Sequence, residues 1–190
     1  MASNVSRETS ERLEKFARLL NHWSGTLNLV GRAATEDIWA RHINDSLQLI
    51  SFIPQGTQSF VDVGSGAGFP AIPIAVATGM FAHLVEADRR KAAFLQVAIT
   101  EIAISATVWN SRAQIASVPL QPVCTARAVA PLSSLIRLCR PLMLPEGVGI
   151  FPKGRTFKSE MQAVKDQTVE IHSYASVTDP EAAILVATFR

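Results

Sequence analysis

A chain of 190 residues, 48% hydrophobic and 18% charged, is long enough to bury a core without staples, which excludes disorder as its main state and a disulfide-held miniature scaffold. Its two cysteines, Cys124 and Cys139, have no CxxC or Cys/His ligand spacing, so no metal site is expected and a reducing, cytoplasmic setting is the simplest reading. The net charge of +2 allows nucleic-acid binding only through a local basic patch, and Met1 to Glu8 offers no apolar segment for a secretory signal.

From Thr9 to about Trp23 the apolar residues Leu13, Phe16, Leu20 and Trp23 recur every three or four positions, which predicts an amphipathic helix. A second helical face, Trp39, Ile43, Leu47 and Ile50, stops at Pro54 and Gly56. Residues 1–55 therefore read as a helical segment and 56–190 as a second unit with a different pattern. Ser59 to Val63 is a short apolar run ending in a glycine-rich turn, and a helix starts at Pro70. The longest apolar stretch, Phe69 to Val85, is broken by Pro70, Pro73, Gly79 and His83, so no membrane span is expected. His83 to Glu86 reads as a second strand, Arg90 to Ile102 as a helix and Ala106 to Trp109 as a third strand. Val123 to Ala126, a helix from Leu132 to Leu142, and a strand from Val148 to Phe151 continue the alternation. Glu160 to Asp166 looks helical. Val169 to His172 and Ala183 to Ala187 then follow as strands with no helix between them, which predicts a closing antiparallel hairpin. Alternating strands and helices give the α/β class: a mostly parallel, Rossmann-like sheet covered on both faces.

The main chemical signal is Asp62-Val63-Gly64-Ser65-Gly66-Ala67-Gly68-Phe69, directly after the first strand of that sheet. Glycines let the backbone turn tightly and approach a ligand closely. A dinucleotide fingerprint, G-x-G-x-x-G, requires glycine at position 69, where this chain has Phe69. The third glycine comes one residue early. A ligand with a compact zwitterionic amino-acid end suits such a loop, with Asp62 as the candidate partner for its ammonium group. About 20 residues after the loop's first glycine, Glu86 ends the second strand, the spacing at which a carboxylate accepts hydrogen bonds from ribose hydroxyls. Loop and carboxylate together point to a nucleoside ligand, and the early glycine favours S-adenosylmethionine.

Asn28-Leu29-Val30, Arg41-His42-Ile43-Asn44-Asp45-Ser46, the glycine loop through Pro70, Thr125-Ala126-Arg127-Ala128 and Pro152-Lys153-Gly154 occur in this order. With them the chain resembles the RsmG/GidB family, bacterial methyltransferases that modify guanine N7 in small-subunit (16S) ribosomal RNA. The resemblance runs from the first helix to the final strands. It implies a Rossmann-like methyltransferase sheet with Gly64, Gly66, Gly68 and Phe69 in the cofactor loop, and Glu86 on the ribose. It also implies Ala113 and Gln114 beside the adenine, with Arg112 leading into them, and Arg127 at the cofactor. Three positions depart from the family pattern: Gln114 stands where an acidic residue is usual, Pro122-Val123 where Phe-Asp is usual, and Ala71 where glycine is usual.

Guanine N7 carries an in-plane lone pair and no proton, so its methylation needs alignment rather than a general base. The sequence fits by omission: the fourth strand lacks the Asn/Asp-Pro-Pro-aromatic loop used for exocyclic amines, and no Pro-Cys nucleophile is present. Cys124 reads as a small apolar residue within its strand. His42 and Asp45, three positions apart, share one helix face, either as a polar clasp between the helical segment and the sheet or with a direct role near the reacting groups. Arg127 stands at a strand's carboxyl end, where it suits the methionine carboxylate, an RNA phosphate or a local acid. Arg32, Arg41, Lys153 and Arg155 are the candidate cations for RNA, in loops on the cofactor edge or in the helical segment. The expected partner is 16S ribosomal RNA or the small ribosomal subunit. The alternatives are a catalytically silent cofactor or RNA binder and, against the displaced glycine, an NAD-dependent oxidoreductase.

Overall fold

The structure, a computed structural model, describes residues 5–27, 29 and 38–190. The amphipathic pattern at the start of the chain becomes α1 (Arg7–Leu27), which buries Leu13, Phe16, Ala17 and Leu20 on its inward face. A second helical run follows, made of a wide π turn (Trp39–Ile43), an α turn, α2 (Asn44–Leu47), and a tight 3-10 end (Gln48–Phe52). Widening and then tightening the winding rotates the inward face. Ile38, Ile43, Leu47 and Leu49 are buried, while Trp39 and Ile50 of the predicted stripe are only partly so.

Strands and helices then alternate: β1 (Ser59–Val63), α3 (Ala71–Thr78), β2 (Phe81–Val85), α4 (Arg89–Ile102), β3 (Ala106–Trp109), β4 (Gln121–Thr125), α5 (Leu132–Cys139), β5 (Met143–Lys153), α6 (Phe157–Gln162), β6 (Val169–Ala175) and β7 (Ala183–Phe189). Asp88 caps α4, its side chain accepting from the amides of Arg90 and Lys91 at 2.8 and 3.1 Å, so the helix starts one residue earlier than the apolar pattern alone predicts.

The seven strands form one sheet in the order β3-β2-β1-β4-β5-β7-β6. β1 to β5 pair in parallel, and β7 runs antiparallel to both of its neighbours, β5 and β6. The predicted closing hairpin is present, but its second strand inserts between β5 and β6. Insertion lets Ala183, Leu185 and Ala187 become buried beside β5, while much of β6 stays exposed at the sheet edge.

Both faces of the sheet are covered. Phe60, Leu84, Phe94, Ile72 and Ile74 share one core with α1's Leu13, Phe16 and Leu20 and with Ile43 and Leu49 of the second helical run. The helical segment thus shares its hydrophobic core with the sheet. On the other face, Val61, Val63, Leu135, Ile136 and Phe151 pack together with Cys124 and Cys139, both free thiols and fully buried. Burial pushes the Cys124 thiol well up from its ordinary value, so it serves as the small apolar residue its strand position predicts.

Candidate active site

At the end of β1 the Gly64 and Ser65 amides donate to the Val85 carbonyl at 2.8 and 3.1 Å, stitching the glycine loop to β2. Gly64 and Gly68 have φ of 70° and 92°, and a Cβ at either would lie 2.5 Å from a side-chain carbon, Val129 Cγ2 or Ile72 Cδ1. Gly66 differs. With φ of 54°, its added Cβ would meet nothing closer than the Gly64 carbonyl at 3.7 Å, so the space above it is open for a ligand. Its amide donates to Glu86 Oε2 at 2.8 Å, while Glu86 Oε1 accepts from the Asp88 amide at 2.7 Å.

Glu86 is 8% exposed, and the backbone around it is fixed as firmly as its carboxylate. Its own carbonyl accepts from Asn110 Nδ2 at 2.9 Å and from the Ser111 amide at 3.1 Å, which ties the tip of β2 to the loop after β3. One hydrogen bond on each carboxylate oxygen leaves lone pairs unused, enough to accept the two hydroxyls of a ribose. In the same loop Ala113 is buried, while Arg112 and Gln114 are exposed on either side of it. An open glycine, a preset carboxylate and this loop make a cradle whose donors and acceptors fit a nucleoside.

Asp62 lies elsewhere than the sequence suggests. It is fully buried beneath the loop, with Oδ1 accepting from Thr125 Oγ1 at 2.6 Å and Oδ2 without any hydrogen-bond partner. Burial raises its pKa to about 7 despite the Thr125 hydrogen bond. That unpartnered oxygen is sealed beneath the loop in this arrangement, a depth the spacing does not show. The Asp62 carboxyl joins β1 to β4 under the loop.

The aromatic residue after the glycines is a hub. Phe69 is 4% exposed, with the Phe16 ring of α1 at 5.2 Å, the His42 ring at 5.0 Å and the Arg127 guanidinium 5.1 Å above its face. Arg127, on the loop after β4, is 3.1 Å from His42 Nδ1 and 3.4 Å from Asp45 Oδ2 through the same nitrogen, NH1. Guanidinium only donates, so Nδ1 of His42 accepts and the ring's proton sits on Nε2. Burial, with Arg127 beside it, lowers the His42 pKa and keeps the ring neutral at pH 7. Of the two roles open to His42 and Asp45, the clasp is what the structure displays, and it closes directly on Arg127.

Beside Arg127 opens a cleft of about 820 Å³. Its walls are Arg41 and Asp45 of the second helical run, the loop from Arg127 to Pro131, the Pro152-Lys153-Gly154 end of β5, Glu160, and the β6–β7 turn from Ser176 to Pro180. None of the glycine loop or Glu86 lines it. Cradle and cleft therefore meet at Arg127, one on the β1–β2 side of the sheet and the other on the β4–β5–β7 side.

The candidate RNA cations divide. Lys153 is a strut: its ammonium reaches Glu160 Oε2 and the Ala130 carbonyl at 2.8 and 2.7 Å, and its side chain is 10% exposed. The sequence does not show this pairing, because Glu160 folds onto Lys153 from a helix it does not show to be adjacent. Arg155 pairs with Glu181 on the surface, where such a pair is worth little and yields readily to a phosphate. Arg41 is exposed at the cleft wall, and Arg32 lies outside the described residues. Sequence reading missed Gln48, Ser176 and Thr178, which bond around Asp45 from two distant parts of the chain and leave no local pattern. Among the described residues no cluster of three or more His, Cys, Asp or Glu side chains is placed to hold a metal, and no helix is long and apolar enough to cross a membrane.

This strand order, with a glycine loop after β1 and a carboxylate at the tip of β2, defines a Rossmann-like S-adenosylmethionine-dependent methyltransferase. An O-methyltransferase from Bacillus cereus, solved with S-adenosylhomocysteine, superposes with a TM-score of 0.62 at 13% identity, over 93% of this chain and 91% of that one. Residues 9–182 match the family described as rRNA small subunit methyltransferase G, and the chain belongs to that family. Curated relatives named ribosomal RNA small subunit methyltransferase G are similar along almost the full length. The protein of Rhodospirillum centenum is 42% identical, over 97% of this chain and 86% of its own. That of Gluconobacter oxydans is 44% identical, over 96% and 95%. An NAD-dependent oxidoreductase on the same sheet is thereby set aside.

Proposed function

We propose that this chain transfers the methyl group of S-adenosyl-L-methionine to N7 of a guanine in 16S ribosomal RNA, as free RNA or within the small subunit, in the cytoplasm. The observation that carries the choice of acceptor is the cleft beside Arg127, whose part-buried carboxylates are already committed. Asp45 accepts from Arg127, Gln48 and Thr178, and Glu160 from Lys153, Thr156 and the Leu132 amide. His42 Nδ1 is engaged by Arg127. Such a site is built to align an acceptor, not to deprotonate one, which suits a ring nitrogen with a free lone pair.

When bound, the cofactor supplies an electrophilic methyl group on a sulfonium sulfur. Glu86 accepts the ribose hydroxyls, the Gly66 backbone lies against the ligand, and Ala113 and Gln114 flank the adenine. Arg127 offers its remaining donors to the methionine carboxylate or to an RNA phosphate. Ala40, Arg41 and Asp45 of the helical segment supply one wall of the acceptor cleft, and Arg41 and Arg155 engage phosphates around it. Holding two reactants in line contributes on the order of 7 to 11 kcal/mol, so alignment alone is an adequate mechanism.

The test is incubation with methyl-labelled S-adenosylmethionine and small ribosomal subunits or 16S RNA, followed by reduction and aniline cleavage, which break the strand at 7-methylguanosine. Label in RNA with a single cleavage-sensitive position is expected. Cofactor binding without label identifies a silent binder, and label at a cleavage-resistant position overturns the choice of N7.

A further inference from the structure

The β6–β7 turn reaches back across the cleft to the second helical run, joining parts of the chain 128 positions apart. Gln48 is the joint. Its Oε1 accepts from the Val177 amide at 3.0 Å and from Ser176 Oγ at 3.4 Å, and its Nε2 donates to Asp45 Oδ1 at 2.8 Å. Thr178 Oγ1 donates to the same Asp45 oxygen, also at 2.8 Å. With Oδ1 occupied twice, Asp45 presents Oδ2 to Arg127. Arg127 uses only NH1 for Asp45 and His42, so its NH2 and Nε donors have no partner among the described residues, and the residue lines the cleft.

From this chain of contacts we infer that Gln48 and Thr178 are positioning residues for methyl transfer. Acting through Asp45, they hold the Arg127 guanidinium over Phe69 with its free donors at the head of the acceptor cleft. The inference rests on the proposed methyltransferase function, in which Arg127 meets a substrate or cofactor anion. The physical need is plain. Arg127 is mostly buried, burial opposes its charge, and the Asp45 carboxylate compensates only if its own orientation is fixed. Two neutral donors on Oδ1 fix it without adding a competing charge. One of those donors sits on the turn between β6 and β7, a hairpin that among the described residues reaches Arg127 only through Asp45.

A role confined to cementing the turn is separable by experiment. Thr178→Val keeps the shape and removes the hydroxyl, and Thr178→Ser restores it. With 16S RNA as acceptor, kcat/KM is expected to fall about tenfold in Thr178→Val, the loss of one hydrogen bond to a charged group, and to return to within twofold of wild type in Thr178→Ser. In a double-mutant cycle, Thr178→Val added to Arg127→Ala is expected to cost nothing further. Additive losses, or a wild-type rate in Thr178→Val, overturn the inference. A wild-type protein that labels no RNA instead refutes the methyltransferase reading. In that event the His42 Nδ1 resonance still tests the latch: it must move in Thr178→Val and stay in Thr178→Ser, and an unmoved resonance overturns it.

Discussion

Glu86 carries two loads, one on the protein and one on the ligand, and the Glu86→Ala and Glu86→Gln variants separate them. Its carboxylate staples the glycine loop through the Gly66 amide and the start of α4 through the Asp88 amide, at 2.8 and 2.7 Å, in a position 8% exposed. A hydrogen bond to a charged group contributes about 1.5 to 3 kcal/mol. Glu86→Gln keeps one acceptor oxygen and turns an NH₂ toward the other amide, so about 2 kcal/mol of stability is lost, which lowers the melting temperature by about 4 to 8 °C for a domain of this size. Glu86→Ala loses both staples and falls further. For the ligand, loss of the ribose acceptor weakens S-adenosylhomocysteine binding by about 1.5 to 3 kcal/mol in Glu86→Ala, roughly 10- to 150-fold. Calorimetric titration below the melting temperature, with denaturation in parallel, reads the two effects apart. A melting temperature that drops while affinity stays within twofold would show Glu86 to be a loop staple alone, and the ribose assignment would fall.

Three further outcomes follow from the site. Gly64→Ala forces a side chain into a backbone with φ of 70° and within 2.5 Å of Val129, so it is expected to cost about 1 to 3 kcal/mol in urea unfolding and to weaken S-adenosylhomocysteine binding; unchanged values refute the close approach. Asp62 has a folded pKa of about 7, raised above its unfolded value of about 3.9, so the folded state holds the proton more tightly and its contribution to stability is lost as pH rises from about 4 through 7. Asp62→Asn removes that dependence, and its stability relative to wild type is expected to rise by up to about 4 kcal/mol between pH 4 and 8 in urea titrations; parallel profiles refute the burial effect. Lys153→Ala strands Glu160 and is expected to lower stability. Arg155→Ala is expected to leave stability intact while reducing the slope of log RNA affinity against log salt by about 0.7 to 0.9. Identical salt slopes move the RNA surface away from Arg155.

What the sequence made legible was local. β1 and β3 coincide with the predicted apolar runs because their neighbours, the glycine loop and the Asn110-Ser111 turn, end each strand within the sequence itself. The position of Glu86 at the tip of β2 was legible from its spacing, since strand length and helix length fix how far apart successive strand tips fall. The second helical run was legible as a helix but not in its inward face, because the π turn changes the winding without any change in apolar spacing. Asp62 read as a ligand partner because spacing cannot reveal depth, and the atoms that seal it come from β4 and the loop itself. Lys153 and Arg155 read alike. Only the folding of α6 and of the β6–β7 turn over β5 made one a buried strut and left the other on the surface.

In the proposed methyl transfer, the pairing of Arg127 with Asp45 answers an electrostatic problem. Transfer of a methyl group from a sulfonium to a purine nitrogen moves one positive charge a short distance within the site and never discharges it. An unpaired guanidinium about 4 Å from that charge would repel it by about 4 kcal/mol at the effective dielectric of a protein surface, before and after transfer alike. The penalty would fall on binding rather than on the chemical step, since it is common to ground and transition states. Asp45 cancels it, and His42, kept neutral by burial and by Arg127, adds no charge of its own. Arg127 can then donate directional hydrogen bonds to an anion while presenting little net charge to the reacting centre, provided the carboxylate stays on the correct side of it. In that proposal Gln48 and Thr178, both donating to Asp45 Oδ1, fix that side and tie the β6–β7 turn to the site.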